Sequence, residues 1–443
     1  MHTVLFLSSS GFSASSEDRV MENTKKNLII KIVILVLALA IAAVAAVDFW
    51  TLRHYKEKIV TSPYLTEVKW FSDYVPSLKN TWLDTPVFIF DSGVEGGTVF
   101  INGCPHPYEP ASTMAAYLMI ENLEIEKGKV IIVPRCNFSG STEGMAGDAY
   151  PMFFSVETEW GEEKYKIGDR YTNPLDQWPD PFTYVNYPSG QNLAYQDIRN
   201  LNRTYPGRED GTISERAAYA VLEIIRNENV DIAIDMHEAE ILYPVTSTYV
   251  APAKVLDRDH FLETGEMVYV EPEESSLDIA MMAAMNIDQF LMKCSASPNT
   301  LHGLSHREWA DWSDALTFLM ETPEIFIDKI TGPRTEDLMY TGSDEFLQRV
   351  TDKGLTYFPY EMEFGTPMWY RVGRHLSGAM EIINWAGLFY PEKECIVSWP
   401  LFDEMAEIEE QGIDSVGYFL KNPNAPENKD RVFTVYYKPV DNN

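Results

Sequence analysis

Residues 98–123, TVFINGCPHPYEPASTMAAYLMIENL, hold the pattern that decides the fold class. An apolar strand-like run comes first, a proline-rich turn follows, and the remainder has the composition of a helix. His106 and Glu109 lie in the turn, three positions apart, and Pro110 comes directly after them. Proline suits the first position of a helix and disfavours helical backbone in the residue before it. The stretch therefore predicts a strand–turn–helix unit with both polar side chains at the junction.

The same alternation of strands and helices continues along the chain. The strand-like runs are GKVIIVPRCN at 128–137, VDIAIDMHEAE at 230–240 and DALTFLMETPE at 314–324, and the helix-like runs are TISERAAYAVLEIIRNEN at 212–229, LDIAMMAAMNIDQFLMK at 277–293 and SDEFLQRVTDKG at 343–354. Alternating strands and helices are typical of an α/β domain. We therefore expect a mixed, mostly parallel sheet with helices on both faces.

Two further segments carry predictions about local structure. TPVFIFDSG at 85–93 and GGTVFINGC at 96–104 are strand-like runs joined by a glycine-rich turn, which predicts a hairpin. Residues 138–205 are irregular and rich in Gly, Pro, Tyr and Asp. Loops of that length inside a compact domain are usually functional.

Composition excludes several classes of partner. The chain has 443 residues, 45% of them hydrophobic, and a formal net charge of −32. This hydrophobic content is enough for a large folded core. The strongly negative charge excludes nucleic acids and anionic membrane surfaces as binding partners.

The N-terminal sequence has the features of an export segment. Lys25, Lys26 and Lys31 precede an uninterrupted apolar run at 32–47. Residues 28–47 approach the length that spans a bilayer, which predicts a signal anchor. Small residues near the end of the run equally predict a cleaved secretory signal, namely Ala43 and Ala45. Either interpretation places the bulk of the chain outside the cytoplasm, extracellular or periplasmic, and leaves open whether translation starts at Met1 or Met21.

These features predict four regions along the chain. They are a leader at 1–47, a linker at 48–85, an α/β domain at 86–390 and a β-rich C-terminal extension at 391–443. The four cysteines are Cys104, Cys136, Cys294 and Cys395. The sequence contains no C-x-x-C, which argues against zinc-ribbon and thioredoxin motifs. A disulfide between the first two cysteines and free buried thiols both stay open.

Polar residues at three strand ends predict the site. In open α/β sheets, ligands bind beyond the carboxyl ends of the strands. His106, His237 and Glu321 each follow an apolar strand-like run, and Glu109 accompanies the first of them. Two histidines and a glutamate form a known ligand set of catalytic zinc sites, which keep a fourth position open. An isolated His-x-x-Glu is more often a plain turn, so the later residues decide between the two interpretations.

Two other groups of residues remain as alternatives. Glu363, in EMEFGTP, also resembles a strand-end glutamate, although the residues before Glu321 are more strand-like. His302 and His306, in LHGLSHREW, are four apart and would share one face of a helix, a spacing that can bind metal. Gly303 weakens that helix, which favours a loop there.

Four motifs in order resemble one known family. HPYE, RNLNRTYPG, IDMHEAE and LTFLMETPE are similar to motifs of the zinc carboxypeptidase-like superfamily, in particular its succinylglutamate desuccinylase and aspartoacylase branch. The resemblance covers about residues 85–340. It implies one Zn²⁺ ion with His106, Glu109 and His237 as its ligands. It further implies a general base, Glu321.

The resemblance also implies how a substrate would bind. Asn202 and Arg203 would hold its carboxylate, and a second arginine would stabilise the oxyanion. Arg135, Arg170 and Arg199 are the candidates for that arginine, and the position of Arg170 upstream of the Asn-Arg pair favours it.

This chain departs from the motifs of the branch in two places. Asn200 replaces the aspartate that usually precedes Leu-Asn-Arg. Cys104 and Pro105 stand where glycine is usual. These departures put the exact substrate in doubt.

The expected function is that of an exported zinc-dependent hydrolase. It would cleave an amide bond next to a free carboxylate, in the first place as a deacylase of small anionic N-acyl amino acids. The alternatives are a zinc metallocarboxypeptidase that acts on the C-terminus of peptides or cell-wall peptides, and a non-catalytic carboxylate-binding protein. The sequence decides neither the acyl group nor the oligomeric state.

Overall fold

A computed structural model describes residues 16–143, 151–240, 247–250, 254–286, 293–296, 301–324, 334–356 and 360–435. The chain forms two compact units, Met1–Thr51 and Leu52–Asn443. Helix α1, Ser16–His54, begins in the first unit. Within its stretch Asn23–His54, an 18-residue window has a mean hydropathy of 3.1, so the helix is long and apolar enough to cross a membrane, a criterion that signal sequences also meet. The predicted export segment is thus a helix that is a candidate signal or membrane segment.

An eight-stranded sheet forms the centre of the second unit. Its strands are β2 (Glu67–Trp70), β3 (Pro86–Asp91), β4 (Thr98–Asn102), β6 (Lys129–Val133), β11 (Ile232–Glu240), β12 (Ser247–Val250), β15 (Lys293–Ala296) and β16 (Leu316–Glu324). Their order is β15-β12-β16-β11-β4-β6-β3-β2. The four central strands, β16, β11, β4 and β6, run parallel, and β3 and β12 flank them in antiparallel orientation. The predicted mixed, mostly parallel sheet is confirmed.

Side chains alternate between the two faces of this sheet, and each face packs against its own helices. One core joins Val99 and Ile101 to helices α3 (Pro110–Asn122), α7 (Ser276–Asn286) and α11 (Met368–Phe389). The other joins Phe100 and Ala233 to α5 (Ile213–Asn227) and to Trp309 of α8 (Ser305–Trp312). Helices therefore cover both faces, as the sequence predicts.

The predicted hairpin between the first two strands is wrong. β3 pairs with β6, and β6 pairs with β4, so β6 lies between the two strands. The unit β4–α3–β6 is a parallel crossover, which brings β6 back beside β4 and leaves its outer edge for β3. A glycine-rich connection shows that the chain turns, but it does not identify the neighbouring strand.

The remaining strands form small antiparallel pairs, which are β1 (Glu57–Val60) with β18 (Val432–Val435), β5 (Glu124–Lys127) with β17 (Ile396–Ser398), β7 (Phe153–Thr158) with β8 (Gly161–Lys166), β9 (Tyr184–Val185) with β10 (Asn192–Leu193), and β13 (Val255–Leu256) with β14 (Tyr269–Val270). The other α-helices of the described residues are α2 (Phe71–Tyr74), α4 (Leu201–Thr204), α6 (Arg258–Thr264), α9 (Glu336–Thr341), α10 (Glu345–Thr351), α12 (Phe402–Glu409) and α13 (Ser415–Phe419). The segment 138–205 therefore contains short strand pairs, although the sequence predicts irregular chain there.

All four cysteines are free thiols. The predicted boundaries at 47, 85 and 390 stay predictions.

Candidate functional site

His106 and Glu109 follow the carboxyl end of β4 and meet His237, which lies in the carboxyl-terminal half of β11 and not beyond its end. The Nδ1 atom of His106 lies 2.8 Å from Oε1 of Glu109. The Nδ1 atom of His237 lies 3.0 Å from Oε2 of the same carboxylate. Glu109 is the residue before α3, with Pro110 at the first helical position, as the sequence predicts. One ligand atom from each of the three buried side chains lies within 4.8 Å of the others, a grouping that is able to hold a metal ion.

Both imidazole rings are oriented by an oxygen acceptor on their far side. The Nε2 atom of His106 lies 2.9 Å from Oδ1 of Asn200. The Nε2 atom of His237 lies 2.8 Å from Oδ2 of Asp235. Asp235 is itself held by Asn102 at 2.7 Å and by the hydroxyl of Ser305. Acceptors of this kind fix the Nε2–H tautomer and leave the Nδ1 lone pair for a metal.

The electrostatics of the three groups favour a positive charge at their centre. Burial lowers the pKa of His106, and Glu109 only partly offsets that effect. Burial also acts against charged His237, but the carboxylates of Asp235 and Glu109 outweigh it and raise the pKa of His237 well above its ordinary value. Burial acts against the Glu109 carboxylate, yet the two histidines outweigh it and lower the pKa of Glu109. A bound cation would take the place of the proton that this arrangement retains.

The donor set fits zinc. Two imidazole nitrogens and one carboxylate are a catalytic zinc ligand set that leaves one position open. All three residues are at most 5% exposed, so water does not compete freely for them. The carboxylate of Asp235 and the amide of Asn200 supply the outer contacts that metal-ligating histidines ordinarily have.

Glu321 lies beside the cluster on the next strand. In the parallel pairing of β11 with β16, Glu321 stands directly opposite His237. Residues in register on parallel strands project from the same face, so both side chains are on the face that α8 covers. Glu363, the alternative, lies exposed in the turn 361–365. The geometry therefore favours Glu321 as the glutamate next to the candidate metal ligands.

Asn202 and Arg203 lie in the short helix α4. The amide oxygen of Asn202 accepts the backbone N–H of Ser305 at 2.8 Å, and its nitrogen lies 3.4 Å from Nε2 of His237. Arg203 donates to the carbonyl oxygen of Asn202 at 2.5 Å. Burial and the nearby Arg170 cation lower the pKa of Arg203, against the opposite effect of Asp197. A carboxylate bound beside the two guanidinium groups would offset their repulsion.

The three candidate arginines occupy different environments. Arg135 is fully buried and donates to both carboxylate oxygens of Glu57 at 2.6 Å. Arg199 pairs with Asp180 at 2.8 Å. Arg170, by contrast, donates to the hydroxyl of Tyr108 and stacks over its ring at 4.7 Å. Because Tyr108 lies between His106 and Glu109 in the sequence, Arg170 is the candidate next to the cluster.

Sequence reasoning missed Arg334 and the Glu238–Arg371 pair. The guanidinium of Arg334 lies 5.3 Å from the centre of the Tyr108 ring. Glu238 accepts the N–H of Ala111 at 2.8 Å and pairs with Arg371 of α11, which fixes the first turn of α3. Glu238 directly follows His237, which is a weak signal, whereas neither arginine stands in a recognisable motif.

Cys104 has a backbone conformation that is uncommon for a residue with a side chain. Its φ angle is 57°, in the left-handed region that glycine adopts without strain. Its thiol lies 3.7 Å from Nη1 of Arg135 and 3.8 Å from the hydroxyl of Ser141. Cys104 therefore adopts this left-handed turn, and its buried side chain fills the space beside Arg135 and Ser141.

Comparisons with known proteins give matches in structure only. No protein-family model matches the chain, and no curated protein sequence matches it. Similar solved structures include a metallo-carboxypeptidase from Burkholderia cenocepacia, with 10% identity and a TM-score of 0.41 over 74% of this chain and 66% of that one. An aspartoacylase family protein from Mesorhizobium loti has 18% identity and a TM-score of 0.30 over 54% and 56% of the two chains. A succinylglutamate desuccinylase from a Silicibacter species has 15% identity and a TM-score of 0.27 over 53% and 52%.

These names are those of the superfamily and branch that the sequence motifs resemble. The chain spans about half to two thirds of the length of those three proteins. Their likeness to this chain is too distant to transfer a substrate or a reaction.

Proposed function

We propose that this chain is an exported zinc-dependent hydrolase that cleaves an amide bond next to a free carboxylate, in the first place an N-acyl amino acid deacylase. One observation carries the proposal. The Nδ1 atoms of His106 and His237 both face the carboxylate of Glu109, at 2.8 and 3.0 Å, and each ring is oriented from behind. If the His-x-x-Glu stretch were only a turn, there would be no reason for His237, which is distant in the sequence, to converge with His106 on Glu109.

The chemistry divides between a metal and the side chains. A zinc ion held by His106, Glu109 and His237 would polarise a carbonyl group and lower the pKa of water towards neutrality. Glu321, opposite His237 in the sheet, accepts the proton of the attacking water and later returns it to the leaving nitrogen. His106, Glu109 and His237 are buried, which limits the access of bulk water to the metal position.

The arginines would select the substrate. Arg203 binds the substrate carboxylate, with Asn202 beside it, because a guanidinium binds a carboxylate through two parallel hydrogen bonds. Arg170, next to Tyr108, stabilises the negative charge that develops on the carbonyl oxygen. An anionic N-acyl amino acid meets both requirements, since its free carboxylate lies close to the amide bond.

A substrate screen tests the proposed reaction. The purified full-length chain, loaded with zinc, is incubated with a panel of N-acyl amino acids and a panel of short peptides, and the products are identified by mass spectrometry. Release of an acyl group from the first panel supports the deacylase. Cleavage of C-terminal residues from peptides alone would favour the carboxypeptidase, and no hydrolysis of either panel with zinc bound would favour a binding protein.

Export has its own test. Because Lys25, Lys26 and Lys31 precede the apolar stretch, the positive flank should stay inside and the second unit should be outside. Protease added to intact cells should then degrade Leu52–Asn443. Protection of this unit until the cells are lysed would contradict export, and the mass of the mature chain distinguishes an anchor from a cleaved signal.

A further inference from the structure

A second cluster of metal-ligating side chains lies in the loop and helix around α8. The sequence pairs His302 with His306, but the structure groups His302 with Glu308 and Asp311. The Nδ1 atom of His302 lies 2.9 Å from Oε1 of Glu308. One ligand atom from each of these three residues lies within 4.8 Å of the others. Glu308 and Asp311 are three apart on α8, so one helical turn presents both carboxylates to the histidine.

The carboxylates of this cluster are buried with incomplete hydrogen bonding. Glu308 and Asp311 are both 0% exposed. Oε1 of Glu308 accepts the N–H of Gly303 at 2.9 Å, and Oδ1 of Asp311 accepts the N–H of Leu256 at 3.1 Å. Oε2 of Glu308 and Oδ2 of Asp311 are also buried, and neither makes a hydrogen bond within the part of the chain that the structure describes.

The nearest protein cation does not fully compensate for these oxygens. Nε of Arg307 lies 3.7 Å from Oδ2 of Asp311, beyond a normal hydrogen bond. Buried carboxylates are ordinarily paired and hydrogen-bonded or bound to a metal, because an uncompensated buried charge is costly. Two buried carboxylate oxygens that make no hydrogen bond among the described residues, beside an imidazole nitrogen, are therefore suited to bind a cation.

We propose that His302, Glu308 and Asp311 form a second divalent-cation site, distinct from the cluster around Glu109. One imidazole and two carboxylates suit zinc or manganese, whereas calcium prefers six to eight oxygen ligands. His302 is partly exposed, at 15% of its side chain, so an ion has a route to the site from solvent.

The position of this site gives the ion a structural role. Gly303 packs directly against the backbone of Arg203, since a Cβ atom at position 303 would lie 2.3 Å from the carbonyl oxygen of Arg203. Ser305 donates its N–H to Asn202 at 2.8 Å and its hydroxyl to Asp235. An ion bound to His302 and α8 would fix the segment between them, which contacts Asn202, Arg203 and Asp235. Its effect on hydrolysis rests on the proposed function, whereas its binding does not.

Metal titration separates the two sites. The full-length chain, stripped of metal, is titrated with Zn²⁺ alone and with Mn²⁺ alone by calorimetry. Wild type should bind about two zinc ions, and the double variant His106→Ala/His237→Ala about one. Adding Asp311→Asn to that double variant should abolish the remaining binding. Uptake of manganese by the double variant would identify a site that accepts both metals.

Matched variants keep the test decisive. Asp314→Asn in the same background should leave binding unchanged, because Asp314 is 91% exposed and lies outside the cluster. His302→Gln, in the loop, replaces Asp311→Asn if the latter fails to fold, as judged by circular dichroism. A double variant that binds no metal, or one whose binding survives both Asp311→Asn and His302→Gln, would overturn the second site. If the first cluster binds no metal, wild type should bind about one ion and Asp311→Asn alone none.

Discussion

Glu321 and Glu363 differ in what surrounds them, and this difference predicts opposite effects of the same substitution. Glu321 stands opposite His237 in the sheet, whereas Glu363 is exposed in a turn. Glu321→Gln keeps the size of the side chain and removes the base, so we expect kcat to fall about 10²–10⁴-fold. Zinc content, measured by mass spectrometry of the metal, should not change. Glu363→Gln is the matched control, and a loss of activity in that variant alone would reverse the assignment.

Asn200 makes a second prediction about single residues. Its amide oxygen accepts from Nε2 of His106 at 2.9 Å, so it fixes the tautomer of a proposed zinc ligand. Asn200→Ala should weaken zinc binding about 10–100-fold, the usual effect of removing such a contact. Asn200→Asp keeps the acceptor and should retain wild-type affinity or better. Competition with a coloured chelator measures both, and equal affinity of Asn200→Ala and wild type would show that this contact does not orient the ring.

Single residues were predictable where motif and strand end coincide. His106, Glu109 and His237 each adjoin an apolar strand-like run, so the sequence alone was enough to predict that they meet. Arg334 approaches Tyr108 from more than 200 positions later in the chain. No local pattern reports such a contact, because it joins two residues that are far apart in the sequence.

At the scale of elements, strand direction was predictable and strand neighbourhood was not. Alternation of strands with helices indicates parallel strands, because two neighbouring parallel strands must be joined by a long crossover, usually a helix. Which strand fills the edge beside β6 depends on packing of the whole sheet, so the hairpin between β3 and β4 was predicted wrongly. The same limit applies to β1 and β18, whose pairing joins opposite ends of the second unit.

One buried carboxyl of helix α3 joins β1 to the segment that directly follows α13. Glu121, in the last turn of α3, accepts the N–H of Val60 at 2.8 Å and that of Lys421 at 2.6 Å. Burial raises the pKa of Glu121 to about 8, although the two N–H groups partly offset it. The folded protein therefore holds a proton that the unfolded chain loses above the ordinary glutamate pKa. The resulting stability is fully present below about pH 4.5 and is lost as the pH rises through about 8.

Glu121→Gln should remove this dependence on pH. Between pH 5 and 8, the free energy of unfolding of wild type should fall relative to the variant, by at most about 1.4 kcal/mol per pH unit. Thermal unfolding at several pH values measures the difference. Glu124→Gln, at an exposed glutamate on β5, is the control and should run parallel to wild type. A constant difference between Glu121→Gln and wild type over this range would show that Glu121 is ionised throughout.

At the scale of the whole molecule, the C-terminal segment contributes to the same core as the sheet. Trp399, Phe402 and Met405 belong to the core that contains Val99 and Ile101. Phe402 opens α12 and packs against the rings of Trp369 and Tyr370 on α11, at 5.3 and 5.4 Å. Gly373 on α11 makes this approach possible, since a Cβ atom there would lie 2.9 Å from the Phe402 ring. The sequence predicts strands in this region, but it does not show that Trp399, Phe402 and Met405 pack into the core of the sheet.

This packing predicts that residues 391–443 unfold together with the sheet. Phe402→Ala removes a ring that is 8% exposed and should lower the free energy of unfolding by about 3–5 kcal/mol. If the segment and the sheet are one cooperative unit, the variant should show a single transition in urea, shifted to lower concentration, and tryptophan fluorescence and zinc release should change together. Tyr418→Ala, at a side chain that is 45% exposed, should shift the midpoint much less. An independent extension would instead give two transitions, and zinc release would keep its wild-type midpoint while only the first transition moved.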